Sequence, residues 1–241
     1  MPLFGGARPV PEAARSEALR SVMVASQLAA RGIADRRVLH AMAMVPRERF
    51  VPAALADFAY EDRPLPIGFG QTISQPYVVA LMLEAAAIAP DDDILEVGAG
   101  SGYAAAVASR LGRRVDTIER LPALAEGARG VVAALGYPNV AIHIGDGSRG
   151  WPDRAPYDVI LVAARASSVP PPLIEQLAPR GRLVAPVGMA DQQHLLCIRR
   201  TASDAFTRDD LGLVRFVSLI GAYGEFDAND PPDRQAGKQG P

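Results

Sequence analysis

Between residues 93 and 187 short apolar runs alternate with segments of helical period, and turn formers separate them. Runs of four to six apolar positions bounded by Gly, Pro or Asp read as buried strands, and longer segments with apolar residues three and four apart read as helices. On this basis strands are predicted at 93–97, 114–118, 140–144 and 157–163, with helices at 103–111 and 122–135 between them. Strand 157–163 carries Val-Ile-Leu-Val, apolar enough for the middle of a sheet. Further on, a short helix is predicted at 173–177 and strands at 181–187, 194–199 and 213–219.

Upstream the period changes to helix alone. Leu19, Val22, Met23 and Gln27 mark an amphipathic helix over 12–30 that Gly32 stops. A second helix over 35–44 has Asp35 as an acidic cap and ends before Pro46. Residues 65–77 hold Gly, Pro and hydroxyl side chains and read as a loop running into a helix at 76–87, with Ser74 placed to cap it. The expected fold is therefore α/β: a doubly wound, mostly parallel Rossmann-like sheet with a helical N-terminal addition and an antiparallel C-terminal strand. At 241 residues the chain is long enough for one such domain and short for two. The expected division is a loose leader at 1–11, one domain at 12–223 with the helical addition at 12–64, and a disordered tail rich in Gly, Pro, Asp and Gln at 224–241.

Strand 93–97 runs into Gly98-Ala99-Gly100-Ser101-Gly102. Glycines there let the backbone turn tightly and approach a ligand before a helix begins. The dinucleotide fingerprint is G-x-G-x-x-G, whereas this spacing is G-x-G-x-G, with Tyr103 where the third fingerprint glycine would fall. Glu96, just before the glycines, would repel a phosphate and attract a ligand with a cationic amino acid part, such as S-adenosylmethionine. Glu119 ends the second strand seventeen positions after Gly102, near the roughly 20-residue offset at which an acid meets ribose hydroxyls in such sheets. A carboxylate suits that task because it accepts two hydroxyl hydrogen bonds at once. Asp146, with Gly147, ends the third strand, where an acceptor can take the adenine amino group's hydrogen bond. Arg165 is a cation at the crevice end of the fourth strand. Ligands bind doubly wound sheets at the carboxyl ends of the strands, and these residues converge there.

Composition removes several classes. Twenty-five basic and 27 acidic residues, net charge −2, leave no electrostatic footprint for nucleic acid. The apolar-leaning stretch 78–90 is interrupted by Glu84 and is shorter than the ~20 residues of a membrane span. No secretory signal pattern opens the chain. Cys197 is the single cysteine, which rules out an internal disulfide framework and fits a reducing compartment, so the cytoplasm is expected. His40, His143 and His194 stand apart from any G-x-S-x-G nucleophile pattern, and no metal-ligand spacing occurs.

Together the loop and the glycine strand resemble the protein-L-isoaspartate O-methyltransferase family. The motifs that carry the likeness are Ala-Met-Val-Pro-Arg-Glu-Arg-Phe-Val at 43–51, Gly-Gln-Thr-Ile-Ser-Gln-Pro-Tyr at 70–77, Leu-Glu-Val-Gly-Ala-Gly-Ser-Gly-Tyr at 95–103, Gly-Asp-Gly at 145–147, Ala-Pro-Tyr-Asp at 155–158 and Val-Arg-Phe-Val at 214–217. The glycine stretch alone would point only to class I methyltransferases, whereas the Gln-Thr-Ile-Ser block is much more specific. The resemblance implies S-adenosylmethionine-dependent esterification of the free α-carboxylate of L-isoaspartyl residues in damaged proteins or peptides, which starts their repair. It places Ser74 at the methyl-transfer site and Glu96, Gly98, Ala99, Gly100, Gly102, Glu119, Asp146 and Gly147 at the cofactor. Thr72, Ile73, Tyr77 and Arg165 are expected on the acceptor side, with no metal and a monomeric chain. Two segments depart from the family pattern: Ala163-Ala164-Arg165-Ala166 after the fourth strand, and Ser218 where the family has proline. They leave two alternatives open. One is a class I carboxyl methyltransferase with another acceptor, signed by Arg165, and the other is a non-catalytic S-adenosylmethionine-binding protein.

Overall fold

The computed structural model describes residues 12–202 and 205–225. The leader at 1–11 and most of the tail lie outside them, but Gly224 and Glu225 of that tail are hydrogen-bonded into the domain, at Gly221 O (3.2 Å) and Leu219 O (2.7 Å).

Seven strands form one sheet: β3 (Asp93–Val97), β4 (Arg114–Glu119), β5 (Val140–Ile144), β6 (Tyr157–Val162), β7 (Leu177–Gly188), β8 (Gln193–Ala202) and β9 (Ala205–Val214), in the order β5-β4-β3-β6-β7-β8-β9. The first five run parallel, β8 runs antiparallel to β7, and β9 is antiparallel to β8. Alternate side chains of the central strands enter different cores. Ile94, Val159 and Leu161 join the cluster under the N-terminal helices, while Leu95, Ile160 and Val162 join one on the other face. Burial on both faces is why these strands read as continuous apolar runs.

Helices α1 (Glu12–Val22) and α2 (Arg36–Met44) form the N-terminal addition, the first continuing through a π turn at Met23–Leu28 and a 3₁₀ turn at Ala29–Arg31 to Gly32, at φ 100°. Asp35 caps α2, its carboxylate accepting from the N–H groups of Arg37 and Val38. The crossover helices are α4 (Tyr103–Ala108) and α5 (Pro122–Ala134), and α6 (Pro171–Glu175) precedes β7. Helix α3 (Pro76–Ala86) ends at Ala87 in the left-handed region. There Arg182 of β7 donates to Ala86 O (2.8 Å) and Ala87 O (2.7 Å) and pairs with Asp92 at 2.5 Å, so one guanidinium satisfies the orphan carbonyls of the helix and ties it to the entry of β3.

The structure corrects three expectations. Residues 65–73 are not a loop but a hairpin, β1 (Leu65–Gly68) and β2 (Gln71–Ile73), whose tip Gly68-Phe69-Gly70 lies wholly at positive φ. Glycine on both sides makes that turn affordable, and it was the feature that read as a loop. Ser74 is not the cap of α3, because Gln75 occupies the N-cap without a side-chain bond. The final strand is 205–214 rather than 213–219. It is a solvated edge with Arg208, Asp209 and Asp210 exposed, so it lacks the apolar period that betrays inner strands. Residues 215–225, whose Phe216, Val217 and Leu219 mimic a strand, instead cross back over the sheet's carboxyl ends as a strap.

Replacing Asp35 with Ala should cost about 1 kcal/mol by leaving two N–H groups of α2 uncapped, which thermal unfolding would read as a fall of a few degrees in Tm. Asp35→Asn, which keeps the acceptor, should fall much less; equal losses would rule out the cap.

Candidate active site

A crevice opens where β3, β4 and β6 end, and the hairpin and the strap form its other walls. Its lining includes Gln71, Thr72, Ile73 and Ser74 from the hairpin, Glu96 to Ser101 from β3 and its turn, Glu119 from β4, Gly147 from the turn after β5, and Val217 to Ile220 from the strap. Eight residues expected from the sequence thus meet in one place apart from the acceptor side: Ser74, Glu96, Gly98, Ala99, Gly100, Glu119 and Gly147 line it directly, and Gly102 lies immediately behind as the N-cap of α4.

The turn after β3 is tied to its neighbours by main-chain bonds. Gly98 and Ala99 donate to Ile118 O at 2.9 and 3.1 Å, and Ala163 donates to Val97 O at 2.8 Å. Gly98, Gly100 and Gly102 sit at φ 95°, 53° and 87°. A Cβ on Gly102 would come within 3.3 Å of Ala128 and Val132 of α5, and one on Gly147 within 2.6 Å of Val97 Cγ1, so side chains are excluded where backbone must lie close.

Two carboxylates set the electrostatics. Glu119 accepts from the Gly100 N–H (2.9 Å) and the Leu121 N–H (3.0 Å), one per oxygen, which leaves lone pairs on both for hydroxyl donors. Glu96 is 2% exposed and accepts from Thr117 Oγ1 at 2.6 Å. Burial pushes the Glu96 carboxyl up to about 8, against the lowering effect of the Thr117 bond, and the nearby Glu119 charge adds to the rise. Among the described residues, one guanidinium, Arg120, joins these two acids in the lining. Two acids against one guanidinium make an acceptor-rich lining that fits a cation bearing hydroxyls better than a phosphate.

Three expected residues are elsewhere. The Asp146 carboxylate accepts from Ser148 N (3.0 Å), Ser148 Oγ (2.6 Å) and Ala222 N (2.7 Å), holding the strap, and it faces a neighbouring cavity with Trp151 and Tyr223. Asp146 thus lies outside the crevice lining, with its carboxylate engaged by Ser148 and the strap. Tyr77 lies outside the crevice lining: the Arg31 guanidinium covers its ring at 3.7 Å, and its N–H donates to Asp62 at 3.1 Å. Arg165 is 4% exposed and bonds Ser218 Oγ at 2.6 Å, Gly188 O at 3.2 Å and the Glu225 carboxylate, so it cannot meet an acceptor. The two departures from the family pattern therefore bond to each other. His143 stacks on Trp151 at 4.0 Å and meets the buried Asp116 at 2.7 Å, and His194 meets Asp210 at 2.8 Å; neither lines the crevice.

Sequence reasoning missed Arg47. This guanidinium is fully buried and donates to Ala59 O and Ser74 O, both at 2.7 Å, while lying 4.7 Å from the centre of the Tyr103 ring. It thereby joins the backbone at Ser74 to the residue that follows the glycine turn. Burial lowers its pKa, a shift opposed chiefly by Tyr103. The available signal was a basic residue inside the Val-Pro-Arg-Glu-Arg-Phe block, flanked by core positions Val45 and Phe50.

A doubly wound sheet with a G-x-G-x-G turn, an acid just before that turn and another ending the second strand defines a class I methyltransferase. The family model for protein-L-isoaspartate(D-aspartate) O-methyltransferase matches residues 19–224, and the chain belongs to that family. It is similar to the protein-L-isoaspartate O-methyltransferase of Methylorubrum extorquens (strain PA1), 57% identical over 91% of this chain and 94% of that one. Its likeness to the enzyme of the same name from Roseiflexus sp. (strain RS-1) is 59% identity over 81% of this chain and 89% of that one. A solved Plasmodium falciparum structure, described as a protein-L-isoaspartate O-methyltransferase in complex with S-adenosyl-L-homocysteine, shares the fold with a TM-score of 0.73 at 26% identity, covering 84% of this chain and 99% of that one. No helix among the described residues is long and apolar enough to cross a membrane.

With the Glu96 carboxyl near 8 in the free protein, the group is mostly neutral at pH 7. A cationic ligand favours its anion, so S-adenosylmethionine binding at pH 7 should release a proton, and affinity should rise with pH and level off above about 8. Calorimetry in two buffers of different ionisation heat checks this; Glu96→Gln should abolish the difference, and buffer-independent heats in the wild type would contradict it. Arg47→Met should leave the Ala59 and Ser74 carbonyls without their donor, costing about 1–3 kcal/mol for each unmet buried group, as read by denaturant unfolding.

Proposed function

We propose that this chain transfers the methyl group of S-adenosylmethionine to the α-carboxylate of L-isoaspartyl residues in damaged proteins and peptides. The observation that carries the reading is the juxtaposition of two acids, Glu96 and Glu119, with the hydroxyls of Thr72 and Ser74 around one crevice. The family membership and the names of its relatives support the same acceptor. In this reading Glu96 faces the amino acid part of the cofactor, Glu119 takes the ribose hydroxyls, and Gly98, Ala99, Gly100 and Gly147 provide close backbone. Gly102 sets the turn behind them.

Bound there, the cofactor supplies an electrophilic methyl on a sulfonium. A carboxylate oxygen forms the new O–CH₃ bond as the S–CH₃ bond breaks, and the bonding pair stays on sulfur. The acceptor has a pKa near about 3.5, so it is already anionic at neutral pH and needs no general base. What the protein must provide is alignment and exclusion of water. Ser74 and Thr72 hold the acceptor carboxylate by hydrogen bonds, Ile73 packs beside it, and Arg47 keeps Ser74 in place through its carbonyl. The alternative acceptor signed by Arg165 loses its support, since that guanidinium is buried and paired. The enzyme acts on protein rather than nucleic acid, as a single chain, in the cytoplasm, a compartment that the single cysteine, Cys197, favours.

The test is transfer of labelled methyl to an isoaspartyl peptide beside its aspartyl twin. Base-labile label on the isoaspartyl peptide alone is expected; label on both, on neither, or only on an unrelated acid would overturn the assignment. Ser74→Ala should slow turnover by roughly ten- to a hundredfold, as expected for one lost orienting donor worth about 1–3 kcal/mol, with cofactor affinity nearly unchanged. An unaltered rate would remove Ser74 from the site.

A further inference from the structure

The strap that closes the crevice is fastened at two points. Asp146 and Ser148 hold its far end, accepting from Ala222 N at 2.7 Å and Tyr223 N at 3.0 Å. Arg165 holds its middle. The Arg165 N–H donates to Val217 O at 2.8 Å, and Leu219 N–H donates back to Arg165 O at 2.7 Å, so the strap is paired with residue 165 on both sides of Ser218. The guanidinium then clasps the same segment by its side chains, through Ser218 Oγ (2.6 Å) and the carboxylate of Glu225, and anchors it to the sheet through Gly188 O (3.2 Å). Its hydrogen bond also holds the Glu225 carboxyl below the ordinary range. Between these fastenings, Val217, Ser218, Leu219 and Ile220 line the crevice that Ser74 shares.

We propose that Arg165 is a positioning residue for the acceptor: by clasping Ser218 and Glu225 it fixes the strap, and the strap wall fixes how the isoaspartyl segment sits against Ser74. The inference rests on the functional reading above. A cation buried to this degree must be paired, and each partner lost leaves the guanidinium less satisfied. Wherever proline stands at position 218, there is no hydroxyl for a guanidinium to grasp. Arg165 and Ser218 therefore make one device, and without the Ser218 hydroxyl the guanidinium has one partner fewer. The guanidinium does not reach the crevice, so its influence on the acceptor passes through the strap.

Kinetics of Arg165→Met, Glu225→Gln and Ser218→Ala with an isoaspartyl peptide, joined to hydrogen exchange of the strap amides, test this. KM for the peptide should rise on the order of tenfold in Arg165→Met and less in the other two. The kcat at saturating peptide and the affinity for S-adenosylhomocysteine should stay within about twofold, because the cofactor walls are untouched. Exchange at 217–225 should quicken while β3 and β4 keep their protection. The double variant Arg165→Met with Glu225→Gln should be little worse than Arg165→Met alone, and Arg165→Lys should restore part of the KM. A faster-exchanging strap with unchanged KM would overturn the proposal, and so would an equal loss of KM, kcat and cofactor affinity, which marks a merely structural residue. A wild-type chain that methylates no isoaspartyl peptide would overturn the functional reading and this inference with it, whereas an active wild type with indifferent variants overturns this inference alone.

Discussion

A buried carboxyl, with no cation paired to it among the described residues, governs this protein. Glu96 sits at the end of the central strand with the Thr117 hydroxyl as its neighbour in hydrogen bonding and a second acid nearby. Desolvating such a group costs free energy that a solvated surface acid would not incur. The sheet accommodates it because β4 and β6, one on each side, hold β3 in parallel register. In the proposed reading, the cost of ionising this group is offset when a cation enters, which would favour a positively charged cofactor over a phosphorylated one. The glycine turn has the complementary role: it keeps side chains out where the backbone packs close to Ala163, Ile67 and α5, and in the proposed reading leaves that backbone open to the cofactor.

Around this point the other elements act as walls. The hairpin delivers hydroxyls, and Arg47 couples it to the start of α4. The strap covers the sheet's carboxyl ends and is held by two separate polar clusters, one on each of two turns that leave parallel strands. Both wall systems rest on buried or half-buried polar side chains bonded to main chain. Bonds of that type specify position more sharply than apolar contact does, because losing one leaves an unmet group behind. That is suited to a reaction whose acceptor arrives already charged and needs orientation more than activation.

Most of this was legible in the sequence, for identifiable reasons. The central strands are buried on both faces, so their apolar runs announced themselves. Glu96, the glycines and Glu119 lie at strand ends, where spacing along the chain translates directly into position. What escaped was long-range or solvated. Strand β9 is an edge with charged residues on both faces and carries no period. The hairpin at 65–73 looked like a loop because its turn uses glycines and its strands are very short. Arg165 reads in sequence as a cation at the crevice end of a strand, on the acceptor side, and only its pairing with residues 218 and 225, far along the chain, reveals it as a clasp. Asp146 was placed correctly at the end of β5, but its carboxylate is shared between the local Ser148 and the Ala222 N–H of the strap, and no local pattern announces the second.

The central claim, that a cationic adenosyl cofactor lies across the carboxyl ends of the sheet with Glu96 and Glu119 as its two anionic contacts, is tested most directly by a crystal structure of this protein with S-adenosylhomocysteine. The amino acid part should lie beside the Glu96 carboxylate, the ribose hydroxyls within hydrogen-bonding distance of Glu119, and the sulfur toward Ser74. A ligand bound outside the crevice, or one inside it that leaves both carboxylates without contact, would contradict the account.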